Sequence, residues 1–264
     1  MQIFLAGMDS AAMKLDNIIK KIPDGYIKYG LLSYYYLRDE QHLINIKRKV
    51  QNILVDSGAF TFQRGKGADL EAYTRGYARF IKENKDDPQF VGFFEMDVDV
   101  ITGYGKVLEM RKRLERESDK IIPVWHTNRG VQDFLDMCEQ YKGRRVSFSC
   151  IGDRDIQEKQ YNLFINAAHK AGCQIHMLGM TRFSLLRELN LNAKDSVDSS
   201  SWLQQGIYAT VTFPTPSMDV VSFDSLQRLD KAFGPSLAIN LHTYRTMQLA
   251  YEDIDNSVYM KGSE

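Results

Sequence analysis

Short apolar runs that alternate with charged segments of helical period constrain this chain more than any other feature. Ile3–Ala6, Ile53–Val55, Phe90–Met96, Lys120–Trp125, Arg145–Cys150, Gln174–Leu178 and Asp195–Val197 each read as a short strand, and a final apolar run follows around Ile207–Phe213. Between them, Leu70–Asn84, Gly105–Glu117, Val131–Tyr141, Asp155–Ala171 and Arg182–Leu191 carry apolar residues at helical spacing. Strand followed by amphipathic helix, repeated, builds βαβ units around a parallel sheet. About eight strands in 264 residues predict an α/β fold, a single-domain (β/α)8 TIM-type barrel over residues 1–252 with a polar tail over 253–264. An open doubly wound sheet is the alternative, but neither a GxGxxG nor a P-loop pattern supports it. The first fifty residues are less regular and hold the aromatic run Tyr34-Tyr35-Tyr36.

Composition narrows the class. With 44% hydrophobic and 26% charged residues the chain is neither disordered nor fibrous. Lys+Arg and Asp+Glu are 34 each, so the net charge is zero and any nucleic-acid contact must come from a local patch. Cys138, Cys150 and Cys173 are odd in number and far apart, which argues against a disulfide framework or a zinc knuckle; they read as buried thiols in a reducing compartment. No apolar run has the length of a membrane span, and the N-terminal stretch lacks the basic region of a signal peptide. The expectation is a soluble, cytoplasmic protein with no membrane contact.

Two aspartates end apolar runs and are followed at once by small residues: Asp56 in Val55-Asp56-Ser57-Gly58-Ala59-Phe60, and Asp198 in Val197-Asp198-Ser199-Ser200-Ser201-Trp202. In a parallel barrel such positions lie at the C-terminal mouth, where these folds place their chemistry. Two carboxylates at one mouth can divide the work of breaking a glycosidic bond. Each could instead cap a helix, and Phe60 could stack on a flat base or pack in the core. The serines around Asp198 are one way to aim a nucleophilic carboxylate, since hydrogen bonds favour its charged form. Trp202 reads as a packing residue beneath the loop.

The third strand continues into Glu95-Met96-Asp97-Val98-Asp99, where strand alternation would put Glu95, Asp97 and Asp99 on one face. Asp97 could accept hydrogen bonds from a purine-like base, or pair with a cation, or join His126 and His176 around a metal; no HxH or HxxxH spacing supports the last, and no metal or cofactor is expected. Gly152 in Cys150-Ile151-Gly152-Asp153 and Gly179 in Leu178-Gly179-Met180 follow strands, as turns that let backbone groups meet a planar ligand. Arg182, Arg187, Lys142, Arg144 and Arg145 could contact phosphates, but they are scattered and most read as cations on solvated helix faces.

Taken in order, Asp56-Ser57-Gly58-Ala59-Phe60, Glu95-Met96-Asp97, Cys150-Ile151-Gly152-Asp153, His176-Met177-Leu178-Gly179-Met180 and Ser196-Val197-Asp198 resemble the tRNA-guanine transglycosylase superfamily from about residue 50 to residue 202. The resemblance implies a (β/α)8 barrel that exchanges a guanine in nucleic acid for a 7-deazaguanine. It implies Asp198 as the nucleophile at the sugar C1′ and Asp56 as general acid and base. Asp97 would read the base edge, Gly152 would give backbone contacts, Phe60 and Leu178 would sandwich the ring, and Gly179 and His126 would complete the base pocket. That family's cysteine-rich zinc subdomain is absent, since no cysteine follows Cys173, and Trp125-His126-Thr127-Asn128 stands where a glutamine-glycine pair is expected. The chain is most similar to the compact, zinc-free phage and bacterial branch that places 7-deazaguanines such as preQ0 into DNA. Implied partners are DNA, with tRNA as the alternative, the free deazaguanine base, and a partner protein or second copy to extend the nucleic-acid contact. A plain nucleoside or glycoside hydrolase could use the same two carboxylates, a non-catalytic barrel would need neither, and a metal-dependent hydrolase comes last.

Overall fold

The computed structural model describes residues 1–9, 13–59, 69–150, 156–180, 182–208, 210–224, 234–252 and 254. Its main sheet is all parallel: β1 (Gln2–Ala6), β2 (Ile27–Ser33), β3 (Val50–Asp56), β4 (Phe90–Phe94), β5 (Ile121–Ile122), β6 (Val124–Trp125), β7 (Arg145–Ser149), β8 (Gln174–Leu178) and β9 (Ser196–Ser199). The nine segments run in the order β5-β4-β3-β2-β1-β9-β8-β7-β6. The two ends of that series, β5 and β6, are halves of one strand broken only at Pro123, so eight strands close a TIM-type barrel. The break has a chemical cause. Proline has no amide to donate, and beyond it the Val124 amide turns to Glu95, whose Oε1 accepts it at 2.6 Å.

Side chains fill the barrel. Phe4, Tyr29, Leu31, Leu54, Phe94, Ile122 and Val124 form an interior cluster, with Ala6, Val91 and Leu178 partly buried against it. The larger cluster lies between strands and helices and includes Ile3, Leu5, Ile53, Val55, Tyr77, Phe93, Val146, Phe148 and Val197. Alternate residues of one strand thus face opposite cores. The Leu70–Asn84 helix is capped by Asp69, which accepts the Ala72 amide. From it Tyr77 donates across β3 and β4 to the carbonyls of Val55 (3.2 Å) and Phe94 (2.9 Å).

Three expectations are corrected. The eighth barrel strand is β2, in the irregular first fifty residues. Its signal is blunted by Gly30, where a Cβ would stand 2.9 Å from Val50 Cγ1, and by direct entry into the one-turn helix Tyr34–Leu37. The apolar run near Ile207–Phe213 is no barrel strand: Thr210–Pro214 pairs antiparallel with Val220–Asp224, and Thr212 bonds Asn240 and Thr243 of the long helix Gly234–Glu252. The helix expected over Asp155–Ala171 spans Tyr161–Ala171 behind a 3-10 turn at Glu158–Gln160, and that over Arg182–Leu191 is the single turn Phe183–Leu186. Most of the expected tail lies outside the described residues. No helix among the described residues is long and apolar enough to cross a membrane.

Candidate active site

Parallel strands deliver their last residues to one face, and here that face is acidic. Asp56 ends β3, Asp198 is the penultimate residue of β9, Asp9 follows β1, and Asp97 follows β4. Asp56 Oδ2 accepts the Gly58 amide at 2.9 Å, the short turn of an aspartate folding over its own backbone. Gly58 is required there. Its φ is +76°, and a Cβ would meet Tyr73 Oη at 2.7 Å, Tyr35 Cβ at 2.9 Å and Ser33 Oγ at 3.0 Å. Tyr73 closes the turn from outside by donating to the Ser57 carbonyl at 2.8 Å.

Burial pushes the Asp56 carboxyl up to about 6, opposed by the Gly58 amide and helped by the charges of Asp97 and Asp198. Asp9 goes further. It is 2% exposed, and burial carries it to about 7 despite the Ser33 amide that its Oδ2 accepts. Ser33 is also the register partner of Asp56, so Asp9, Ser33 and Asp56 cross the mouth at the ends of three adjacent strands, β1, β2 and β3. Sequence reading passed over Asp9, although Met8-Asp9-Ser10 repeats the Asp-Ser pattern of Asp56-Ser57 and Asp198-Ser199.

Asp198 is aimed by a different set of groups from the one expected. Its Oδ1 accepts the Gly179 amide at 2.7 Å and faces His176 Nε2 at 3.4 Å. The serines do other work: Ser196 Oγ bonds His176 Nδ1 at 2.8 Å, and Ser199 Oγ accepts the Ser201 amide. Oδ2 of Asp198 has no donor among the described residues. His176 is fully buried between the rings of Phe4 and Phe94, and burial lowers its pKa against the pull of Asp198. Gly179, with φ +73°, thus spends its amide on the carboxylate. Leu178 is half-buried at the end of β8, beside it. Trp202 packs as expected, fully buried, and donates to the Ala6 carbonyl.

The acidic stretch after β4 divides. Because the strand ends at Phe94, alternation does not continue, and Glu95 is not at the mouth. It lies fully buried in the helix layer, gripped on both oxygens by Arg111. Asp97 remains at the mouth, with its Oδ1 2.8 Å from His126 Nε2. Burial lowers the His126 pKa, but the Asp97 bond and the charges of Asp97 and Asp99 outweigh it and raise it overall. Asp99 pairs with Arg129 at 3.2 Å, and Arg129 lies 4.0 Å from the Tyr104 ring centroid. Ligand atoms of Asp97, Asp99 and His126 lie within 4.8 Å of one another, a set that could hold a divalent ion, though Arg129 already supplies positive charge there. Phe60 and Gly152 lie outside the described residues.

Comparison with protein-family models gives no match, and no curated protein matches the chain significantly. The chemistry therefore rests on the arrangement itself. Of the expected site residues, Asp56, Asp97, His126, Leu178, Gly179 and Asp198 gather at one mouth. The scattered cations are mostly engaged elsewhere: Arg182 with Glu158, Arg187 with Asp219, and Arg145 in the barrel floor, bonded to Gln2 and the Lys194 carbonyl. Cys138 and Cys173 are buried, but Cys150 is only half-buried.

Proposed function

We propose that this barrel is a base-exchange glycosyltransferase that replaces a guanine in nucleic acid, DNA in the first instance, by a 7-deazaguanine of the preQ0 type. The observation that carries the reading is the pairing of Asp198, with one oxygen fixed by the Gly179 amide and the other without a donor among the described residues, with Asp56 raised to about 6 across the same mouth. An acid–base group is most effective when its pKa lies near the working pH. Asp198 attacks C1′ of the target sugar and the C1′–N9 bond breaks. Its electron pair goes to the departing guanine, which takes the proton held by Asp56. The entering base then loses its N9 proton to Asp56 and attacks C1′, releasing Asp198. The target base must leave its stack to reach the mouth. In this reading Asp97 and Leu178, both at the mouth, line the base pocket.

The test is incorporation of labelled guanine into duplex DNA, single-stranded DNA or tRNA. Label in DNA supports the reading; label in tRNA alone transfers it to the RNA substrate. Free base released without incorporation points to a hydrolase. The Asp97–Asp99–His126 trio favours one second reading, a metal-dependent hydrolase, and loss of base release on chelation would support it.

A further inference from the structure

Arg38 is placed at the rim of the mouth by two aromatic rings. It follows the Tyr34–Leu37 turn, and its guanidinium carbon lies 4.7 Å from the Tyr35 ring centroid and 5.7 Å from that of Tyr73. Its Nε donates to the Tyr35 carbonyl at 3.0 Å. The same two residues enclose Gly58, where an added Cβ would strike Tyr73 Oη and the Tyr35 Cβ. The rings that hold the cation are thus also the wall of the turn that carries Asp56.

Arg38 is exposed, and among the described residues no carboxylate accepts its two terminal nitrogens. Among the described residues, the arginines that follow β6 and β8 on this side are neutralised: Arg129 by Asp99, Arg182 by Glu158 and Arg187 by Asp219. Immobilising a long cationic side chain costs rotamer entropy, and stacking on tyrosine recovers part of that cost while leaving a planar donor fork open. That fork fits an oxyanion with two oxygens in a plane, phosphate above all. With zero net charge the chain has no general attraction for nucleic acid, so a fixed cation beside the mouth has to do that work locally.

We infer that Arg38 is a backbone-phosphate anchor, binding a phosphodiester of the strand whose base enters the mouth. This rests on the nucleic-acid reading above. The contact positions the strand without reading its sequence.

Fluorescence anisotropy of labelled single-stranded DNA, duplex DNA and tRNA, titrated with the full chain between about 50 and 200 mM salt, tests it. Arg38→Ala should lower affinity about tenfold at low salt and reduce the slope of log K against log salt by about 0.7 for single strands or about 0.9 for duplex. Arg38→Lys should keep the slope but bind more weakly, having lost the fork and the stacking. Lys142→Ala, an exposed cation preceding β7 at the opposite end of the barrel, should change neither. If wild-type protein binds and Arg38→Ala keeps the full slope, the anchor is wrong and the nucleic-acid reading stands. If wild-type protein binds neither DNA nor tRNA, that reading fails and the anchor fails with it.

Discussion

Strand β9 has an aspartate at each end, and the two are used in opposite ways. Asp195, just below it, is fully buried and saturated: it accepts the amides of Ile175 (2.8 Å) and Asn192 (2.7 Å) and pairs with His169 at 2.8 Å. Asp198, three residues on, holds one amide at 2.7 Å and leaves an oxygen without a donor among the described residues. The same contrast recurs after β4, where Glu95 is gripped by Arg111 while Asp56, one strand away, has amides and other carboxylates for company. Buried acids in the wall and floor are thus compensated, whereas at the mouth, where Asp97 has His126, no cation among the described residues accompanies Asp56 or Asp9. An uncompensated carboxylate in a low-dielectric site costs stability, so its placement at the mouth speaks for chemistry rather than for folding.

Substitutions can break this comparison. Asp56→Asn should slow base exchange about 10²–10⁴-fold without lowering the melting temperature, measured by exchange kinetics beside a thermal scan. Arg111→Met should leave Glu95 buried without its cation and cost about 3–5 kcal/mol in urea denaturation; Asp195→Ala, which strands two buried amides, belongs to the same class at about 3 kcal/mol.

The pH dependence sharpens the contrast. Asp9 titrates at about 7 when folded, against about 4 when unfolded. The folded state therefore holds a proton that the unfolded chain has lost across that window. The stabilisation is complete below pH 4 and disappears as pH rises through 7, on the order of 4 kcal/mol if the whole shift is realised. Urea midpoints at pH 5 and pH 8 should differ more in wild type than in Asp9→Asn. At the small end, Trp202→Phe removes one hydrogen bond to Ala6 and should cost about 1 kcal/mol in the same assay.

Much of the fold, with the strand-end positions of the mouth residues, is legible in the sequence, and the exceptions have physical causes. Strands such as Gln174–Leu178 and the helix Leu70–Asn84 declare themselves because periodicity and packing agree there. β2 stayed hidden because Gly30 interrupts it to admit Val50, a requirement that exists only once β3 is alongside. The mouth positions of Asp56 and Asp198 follow from strand ends, which sequence does mark. What sequence could not mark is partnership: Glu95 looks like Asp97 until the strand is seen to stop at Phe94 and Arg111 is found opposite. Gly179 is likewise read as a ligand contact until its amide is found on Asp198.

The most direct test of the contrast is to trap the nucleic-acid adduct. Protein incubated with guanine-containing DNA, quenched by denaturation, digested and mapped by mass spectrometry should carry a deoxyribosyl ester on the peptide containing Asp198. That ester should be absent from Asp198→Asn, whose melting temperature should be unchanged. An adduct on another residue, or exchange that proceeds at the normal rate in Asp198→Asn, would contradict the assignment of Asp198 as the nucleophile.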